Sequence, residues 1–159
     1  MFAKRISESG FKRRSPDTRA PSIGYTTGVY DLFHIGHLNL LRNAKSMCDF
    51  LLVGVSSDEH VSRYKGRKPV IPYAERAEIV RHIQYVDAVI PQTSGSKVEA
   101  WQRLKFNHLF VGDDWYSDES WSQYEEELRV AGVRITYFPY TEGTSSTLLN
   151  SVLRKLAES

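Results

Sequence analysis

The sequence predicts an α/β protein, a doubly wound parallel sheet with helices on both faces. Three observations lead there. Short apolar runs alternate with amphipathic segments from Ile23 onward. One run, Phe50-Leu51-Leu52-Val53-Gly54-Val55, is apolar on both faces, as a strand covered by helices on each side must be. Finally, the polar motifs of the chain fall just after predicted strands, at the sheet edge where such folds bind ligands. The architecture is Rossmann-like, but no Gly-x-Gly-x-x-Gly is present, which disfavours an ordinary dinucleotide site.

At 159 residues the chain supports one domain with a core that needs no disulfide or structural metal. Residues 1–22 stand apart. They carry Lys4, Arg5, Lys12, Arg13, Arg14 and Arg19 against only Glu8 and Asp17, with few large apolar residues, which predicts a flexible basic arm before a domain over 23–159. The net charge of +2 is too small to argue for nucleic-acid binding. No run of 18 apolar residues offers a membrane span, and no apolar leader segment directs secretion. The single cysteine, Cys48, is placed on the apolar stripe of the first helix and reads as a structural thiol. Together these features fit a reducing cytoplasm.

The elements follow in order. Ile23 to Thr27 has strand composition, and Leu38, Leu41, Ala44, Lys45 and Cys48 recur at helical spacing. After the strand over 50–55 comes a basic loop, Arg63 to Lys68. A helix is predicted from Pro72 to Ile83, with Ala77, Val80 and Ile83 on one face. Asp87 to Ile90 reads as a short strand stopped by Pro91. Val98, Trp101 and Leu104 mark the next helix, and His108 to Val111 the next strand. Trp121, Tyr124, Leu128 and Ala131 share one face of a helix whose other side, with Glu125, Glu126 and Glu127, is solvated. Val133 to Phe138 is the last strand, and Leu148, Leu149, Val152, Leu153 and Leu156 form a C-terminal helix.

The chemistry concentrates in the first strand-to-helix turn, Gly28-Val29-Tyr30-Asp31-Leu32-Phe33-His34-Ile35-Gly36-His37. Two imidazoles flank Gly36 where a helix begins, so free backbone N–H groups and the positive helix end share a space with two ring donors. That combination suits a polyanionic phosphate, whose charge would raise both imidazole pKa values above the ordinary ~6.5. Asp31 either orients an imidazole, positions a metal-bound phosphate or caps the turn. Near the C-terminus, Thr144, Ser145, Ser146 and Thr147 precede the last helix; capping uses one hydroxyl, which leaves the others for phosphate at the helix N-terminus.

His34-Ile35-Gly36-His37 after Asp31-Leu32-Phe33 resembles the His-x-Gly-His signature of the nucleotidylyltransferase superfamily, cytidylyltransferase branch. Further matches follow in order: Lys65-Gly66, Glu75-Arg76, Tyr85-Val86-Asp87, Gly112-Asp113-Asp114-Trp115 and Thr141 to Thr147. The last two are similar to the glycerol-3-phosphate cytidylyltransferase subgroup. The resemblance implies transfer of a nucleotidyl group from CTP, with Mg²⁺, to a small phosphorylated alcohol such as glycerol 3-phosphate, releasing pyrophosphate. It assigns His34, His37 and Lys65 as catalytic, with Lys68 the alternative lysine. It places Gly28, Val29, Tyr30, Asp31, Gly36, the 112–115 stretch, Thr141, Thr144, Ser145, Ser146 and Thr147 around the nucleotide. Carboxylates at 113 and 114 would accept ribose hydroxyls, and Trp115 offers a stacking face. It further implies a homodimer built around the first helix and Tyr85-Val86-Asp87.

Two arginines of the subgroup pattern are missing here. Gln84 precedes Tyr85-Val86-Asp87, and Tyr140 precedes Thr141-Glu142-Gly143. Arg76, Tyr140 and Lys68 are therefore the candidates for the acceptor or its phosphate, with Arg63 a further possible substitute. Two other readings stay open: adenylyl transfer from ATP to a sugar-phosphate or flavin-type acceptor, and a nucleotide-binding domain without turnover.

Overall fold

The computed structural model describes residues 19–112 and 119–158. Five strands, β1 (Ile23–Gly28), β2 (Phe50–Ser56), β3 (Ala88–Gln92), β4 (His108–Gly112) and β5 (Arg134–Phe138), form one parallel sheet in the order β3-β2-β1-β4-β5. Among the described residues six helices connect and follow them: α1 (Ile35–Ser46), α2 (Asp58–Lys65), α3 (Tyr73–Arg81), α4 (Lys97–Leu104), α5 (Glu119–Val130) and α6 (Ser146–Ala157). The doubly wound architecture expected from the sequence is present.

Strand alternation divides the core in two. Leu51, Val53 and Val55 of β2 meet Leu41 and Ala44 of α1 and Ala77 and Val80 of α3. On the other face Tyr25, Leu109 and Val111 meet Trp121 and Leu128 of α5. Gly24 sits where two layers touch, since a Cβ there would stand 2.6 Å from both Cys48 Sγ and the Phe110 ring. Cys48 itself lies two residues beyond the end of α1 and is half-buried, its thiol directed to the Ala44 carbonyl at 3.3 Å.

The chain winds from β1 outward through β2 to β3, then crosses back to β4 and β5, so its direction reverses between β1 and β4. These strands pair at two positions only, Gly24 with His108 and Tyr25 with Leu109. Beyond Tyr25 that pairing ends, leaving a crevice mouth at the carboxyl edge of the sheet.

Three departures from the predicted elements have local causes. Strand β3 continues through Pro91 to Gln92, with Pro91 opposite Val55, because β3 is an edge strand whose outer side needs no N–H. Arg63 to Lys65, predicted as the start of a loop, instead end a helix, α2, capped by Ser57 and ended by Gly66 in the left-handed region. Its signal is weak because Val61 is its one buried residue. Ala131 lies past the end of α5 and is exposed. The predicted arm over 1–22 falls mainly outside the described residues. Its last part docks on the domain: the Asp49 carboxylate accepts from Ser22 N–H (2.7 Å) and Oγ (2.9 Å) and pairs with Arg19 at 3.1 Å. Among the described residues no helix is long and apolar enough to cross a membrane.

Candidate active site

The turn from β1 to α1 is held open in an unusual backbone path. Tyr30 and Leu32 both have positive φ, 55° and 49°, a region that costs non-glycine residues strain. The strain is held by buried contacts. Tyr30 is packed in the first core cluster, and its ring meets His37 edge-on at 5.3 Å, with Phe33 on the same imidazole at 5.3 Å. The Asp31 carboxylate accepts from Val70 N–H and Ile71 N–H, each at 2.9 Å, and so clasps the segment after α2. The approaching 70–71 backbone thus bonds to both oxygens, while the carboxylate's charge also acts on His37.

Arg76 completes this scaffold. Its side chain is fully buried and donates to the Ile71 carbonyl (2.8 Å), the Val29 carbonyl, the Ser56 carbonyl (2.9 Å) and Asp58 Oδ1 (2.6 Å). The guanidinium, expected near an acceptor phosphate, ties β1, β2, α2 and the 71 loop together. The Tyr30 ring, expected beside the nucleotide, supports His37.

His34 is the N-cap of α1. Gly36 N–H donates to His34 Nδ1 at 3.1 Å, and His34 N–H donates to His37 Nδ1 at 3.3 Å, a reciprocal cap built from two imidazoles. The rings stack with centroids 3.9 Å apart. An Nδ1 that accepts a hydrogen bond carries no proton, so each neutral ring bears its proton on Nε2. Both rings are thereby set as Nε2–H donors. Burial lowers the pKa of His34, and burial together with the neighbouring His34 lowers that of His37 to about 3. The charged imidazoles anticipated from the sequence are neutral in this structure: at His37 burial outweighs the nearby Asp31 charge, which acts in the raising direction. Gly36 is required by the cap itself, for a Cβ would stand 2.9 Å from His34 Cε1.

The C-terminal motif closes on this turn. Ser146 Oγ donates to the Asp31 carbonyl at 2.6 Å, and Thr141 lies beside Gly36. Ser145 caps α6, accepting from Leu148 N–H at 3.1 Å. Of the four hydroxyl residues, one therefore caps the helix and another bonds to the turn, with Thr144 and Thr147 flanking them. Thr147 lines an open groove of about 540 Å³ that also includes Lys65, Gly66, Arg67, Asn150, Ser151 and Arg154. Lys65 is the last residue of α2 rather than a loop residue, at the rim of this groove. Lys68 is exposed beyond it, and its charge helps hold the Asp58 pKa down.

Gly28 and Val29 end β1 and begin the turn, with the Val29 carbonyl bound to Arg76. Gly112 closes β4, while Asp113, Asp114 and Trp115 lie outside the described residues. Tyr140 is 59% exposed. Asp87 of the Tyr85-Val86-Asp87 stretch accepts from Lys45 Nζ and Leu51 N–H, both at 2.6 Å, and so fastens α1 to the start of β2.

One residue escaped the sequence reading. Lys97, at the first position of α4, is 4% exposed, donates from Nζ to Thr27 Oγ1 at 2.8 Å at the crevice mouth, and has its pKa lowered by burial to about 8. The available signal was a lysine directly after the Ser96 N-cap, where the helix dipole opposes a cation.

A family model described as cytidylyltransferase-like matches residues 25–152. The chain belongs to the cytidylyltransferase-like family. It is 33% identical over 134 residues to the FAD synthase of Pyrococcus abyssi, covering 82% of this chain and 89% of that protein. It is equally 33% identical over 129 residues to the glycerol-3-phosphate cytidylyltransferase of Staphylococcus aureus, covering 80% and 92%. The fold is also similar to the crystal structure of the lipopolysaccharide core biosynthesis protein from Thermoplasma volcanium, with a TM-score of 0.63 at 23% identity over 79% of this chain and 100% of that one. Family membership agrees with the resemblance drawn from the motifs, and the two relatives at equal identity leave nucleotide and acceptor to further argument.

Proposed function

We propose that this cytidylyltransferase-like protein transfers a cytidylyl group from CTP to a small phosphorylated alcohol, glycerol 3-phosphate or a close analogue, releasing pyrophosphate. The observation that carries the transfer chemistry is the reciprocal His34/His37 cap. It fixes two Nε2–H donors at the N-terminus of α1, beside Thr141. In the step itself, an anionic oxygen of the acceptor's phosphate attacks the α-phosphorus. A new P–O bond forms and the bond to the β-phosphate oxygen breaks, its electrons leaving with pyrophosphate. The two imidazoles donate to non-bridging oxygens as charge develops, and donors preset in this way are worth on the order of 10²–10³ in rate. No side chain has to remove a proton from the acceptor, because a phosphomonoester's second ionisation lies near ~6.

CTP is favoured by the sequence Gly112-Asp113-Asp114-Trp115, which begins at the last residue of β4, together with Thr141-Glu142-Gly143. The equal identity to an FAD synthase supports the alternative, ATP with a flavin-type acceptor. Magnesium belongs to the same reading, carried on the nucleotide's own phosphates, where it neutralises their charge. A homodimer across α1 and the 85–87 region belongs to the same reading. The test is pyrophosphate release with each of four nucleoside triphosphates against a panel of phosphorylated alcohols and FMN. Turnover with CTP and glycerol 3-phosphate or a relative is expected; turnover with ATP and FMN alone would overturn the proposal.

A further inference from the structure

We propose that the apolar side of α6 docks on an anionic lipid surface and holds the protein there peripherally. The inference does not depend on which nucleotide or acceptor the site takes. Leu148, Val152 and Leu156 fall at i, i+4 and i+8, with Leu149 and Leu153 beside them, so one side of the helix is apolar along its whole length. Thr147, Asn150, Ser151 and Arg154 lie on the other side and line the groove. The apolar side is therefore turned away from it. A helix of twelve residues is barely stable by itself in water and ordinarily gains its stability by packing such a side against a core. Among the described residues no element buries any residue of α6, and Leu148, Val152, Leu153 and Leu156 are all exposed.

Charge identifies what covers it. Arg154 and Lys155 are the only charged residues from Ser146 to Ala157, with the acidic C-cap Glu158 just beyond, and Lys65 and Arg67 stand across the groove with the same positive sign. A helix with leucine and valine on one side and cations on the other lies in a lipid headgroup layer, its apolar residues among the acyl chains and its cations on anionic headgroups. A second copy of the chain fits less well. It would bring the same two cations to the contact, and a stable protein interface takes roughly 20–30 residues from each partner, more than one side of a single helix supplies. Docking in this way leaves the reaction unobstructed: the Ser146–Asp31 hydrogen bond fixes the first turn of α6 to the catalytic turn, and the groove on the opposite side stays uncovered.

The test is co-sedimentation of the full-length protein with vesicles of phosphatidylcholine alone and of phosphatidylcholine containing roughly one part in three of phosphatidylglycerol. Wild type is expected to partition onto the anionic vesicles about tenfold more strongly than onto the neutral ones, and salt at roughly 0.5 M should remove most of that difference. Leu153→Ser combined with Leu156→Ser should weaken partition onto the anionic vesicles about tenfold, since both side chains leave the acyl layer. Lys155→Glu should weaken it about fivefold, and it serves as the readout if the double variant does not keep the wild-type melting temperature. Absence of wild-type partition onto anionic vesicles would overturn the assignment. So would undiminished partition in the double variant, which would put the lipid contact elsewhere on the chain. A wild-type dimer in light scattering that the double variant breaks, with no vesicle binding by either, would show that a second copy covers α6 and would overturn it equally.

Discussion

The β1–α1 turn and helix α6 meet at one hydrogen bond, yet they are built in opposite ways. The turn is enclosed: Asp31, Arg76 and the Nδ1 atoms of His34 and His37 are matched to backbone or carboxylate partners, and Tyr30 and Phe33 pack the His37 imidazole. Helix α6 has no buried residue, and Leu148, Val152, Leu153 and Leu156 are all exposed. It is positioned by the Ser145 cap and the Ser146 contact. The difference teaches a division of labour. Groups that act in the transition state need preset geometry, which the turn has, whereas groups that grip a flexible polyphosphate need charge and access, which α6 and the Lys65–Arg67 segment have.

The largest expected break in this contrast is Arg76→Leu. Removing a buried guanidinium leaves the Asp58 carboxylate and three carbonyls without their donor, a loss of about 3–5 kcal/mol. Chemical denaturation should show that loss, and Arg154→Leu should change stability by less than about 0.5 kcal/mol, as surface substitutions do. Equal effects at the two arginines would erase the distinction.

A pH series sharpens it. His37 has a folded pKa near 3 against an unfolded value near ~6.5, so between these limits the unfolded chain binds the extra proton. Stability due to this residue is therefore complete above about pH 6.5 and is lost as pH falls toward 3. Melting temperature followed from pH 7 to pH 4 should fall less steeply in His37→Asn than in wild type. Identical slopes would mean that His37 is not buried in its neutral form. A smaller effect belongs to the cap of α6, where Ser145→Ala should cost about 1 kcal/mol at most. A loss several times larger would show that α6 is more firmly integrated than its exposed face indicates.

Much of this was legible in the sequence where a periodic pattern met a buried surface. The apolar run of β2 and the stripes of α1 and α5 announce themselves because Leu51, Val53, Leu41, Ala44, Trp121 and Leu128 are core residues. Helix α2 stayed hidden because a helix with one buried side chain leaves no stripe, and Pro91 misled because edge position is a property of the sheet. At the site, spacing placed His34, Gly36 and His37 at a helix N-terminus, but not their mutual capping, which depends on the ring orientations. Arg76 and Lys97 were the least legible. A charged residue is ordinarily exposed, and only tertiary partners such as the Val29 carbonyl and Thr27 reveal why these two are inside.

The central claim is that the turn acts on the transition state and the groove on binding. Steady-state kinetics of His37→Asn and Arg154→Gln with CTP and glycerol 3-phosphate tests it most directly. His37→Asn is expected to lower kcat by about 10²–10⁴ with KM for CTP within a few-fold of wild type, because its donor acts on developing charge. Arg154→Gln is expected to raise KM for CTP about tenfold with kcat nearly unchanged, the pattern of lost uniform binding. A His37 variant with intact kcat and raised KM, or an Arg154 variant impaired only in kcat, would contradict the account.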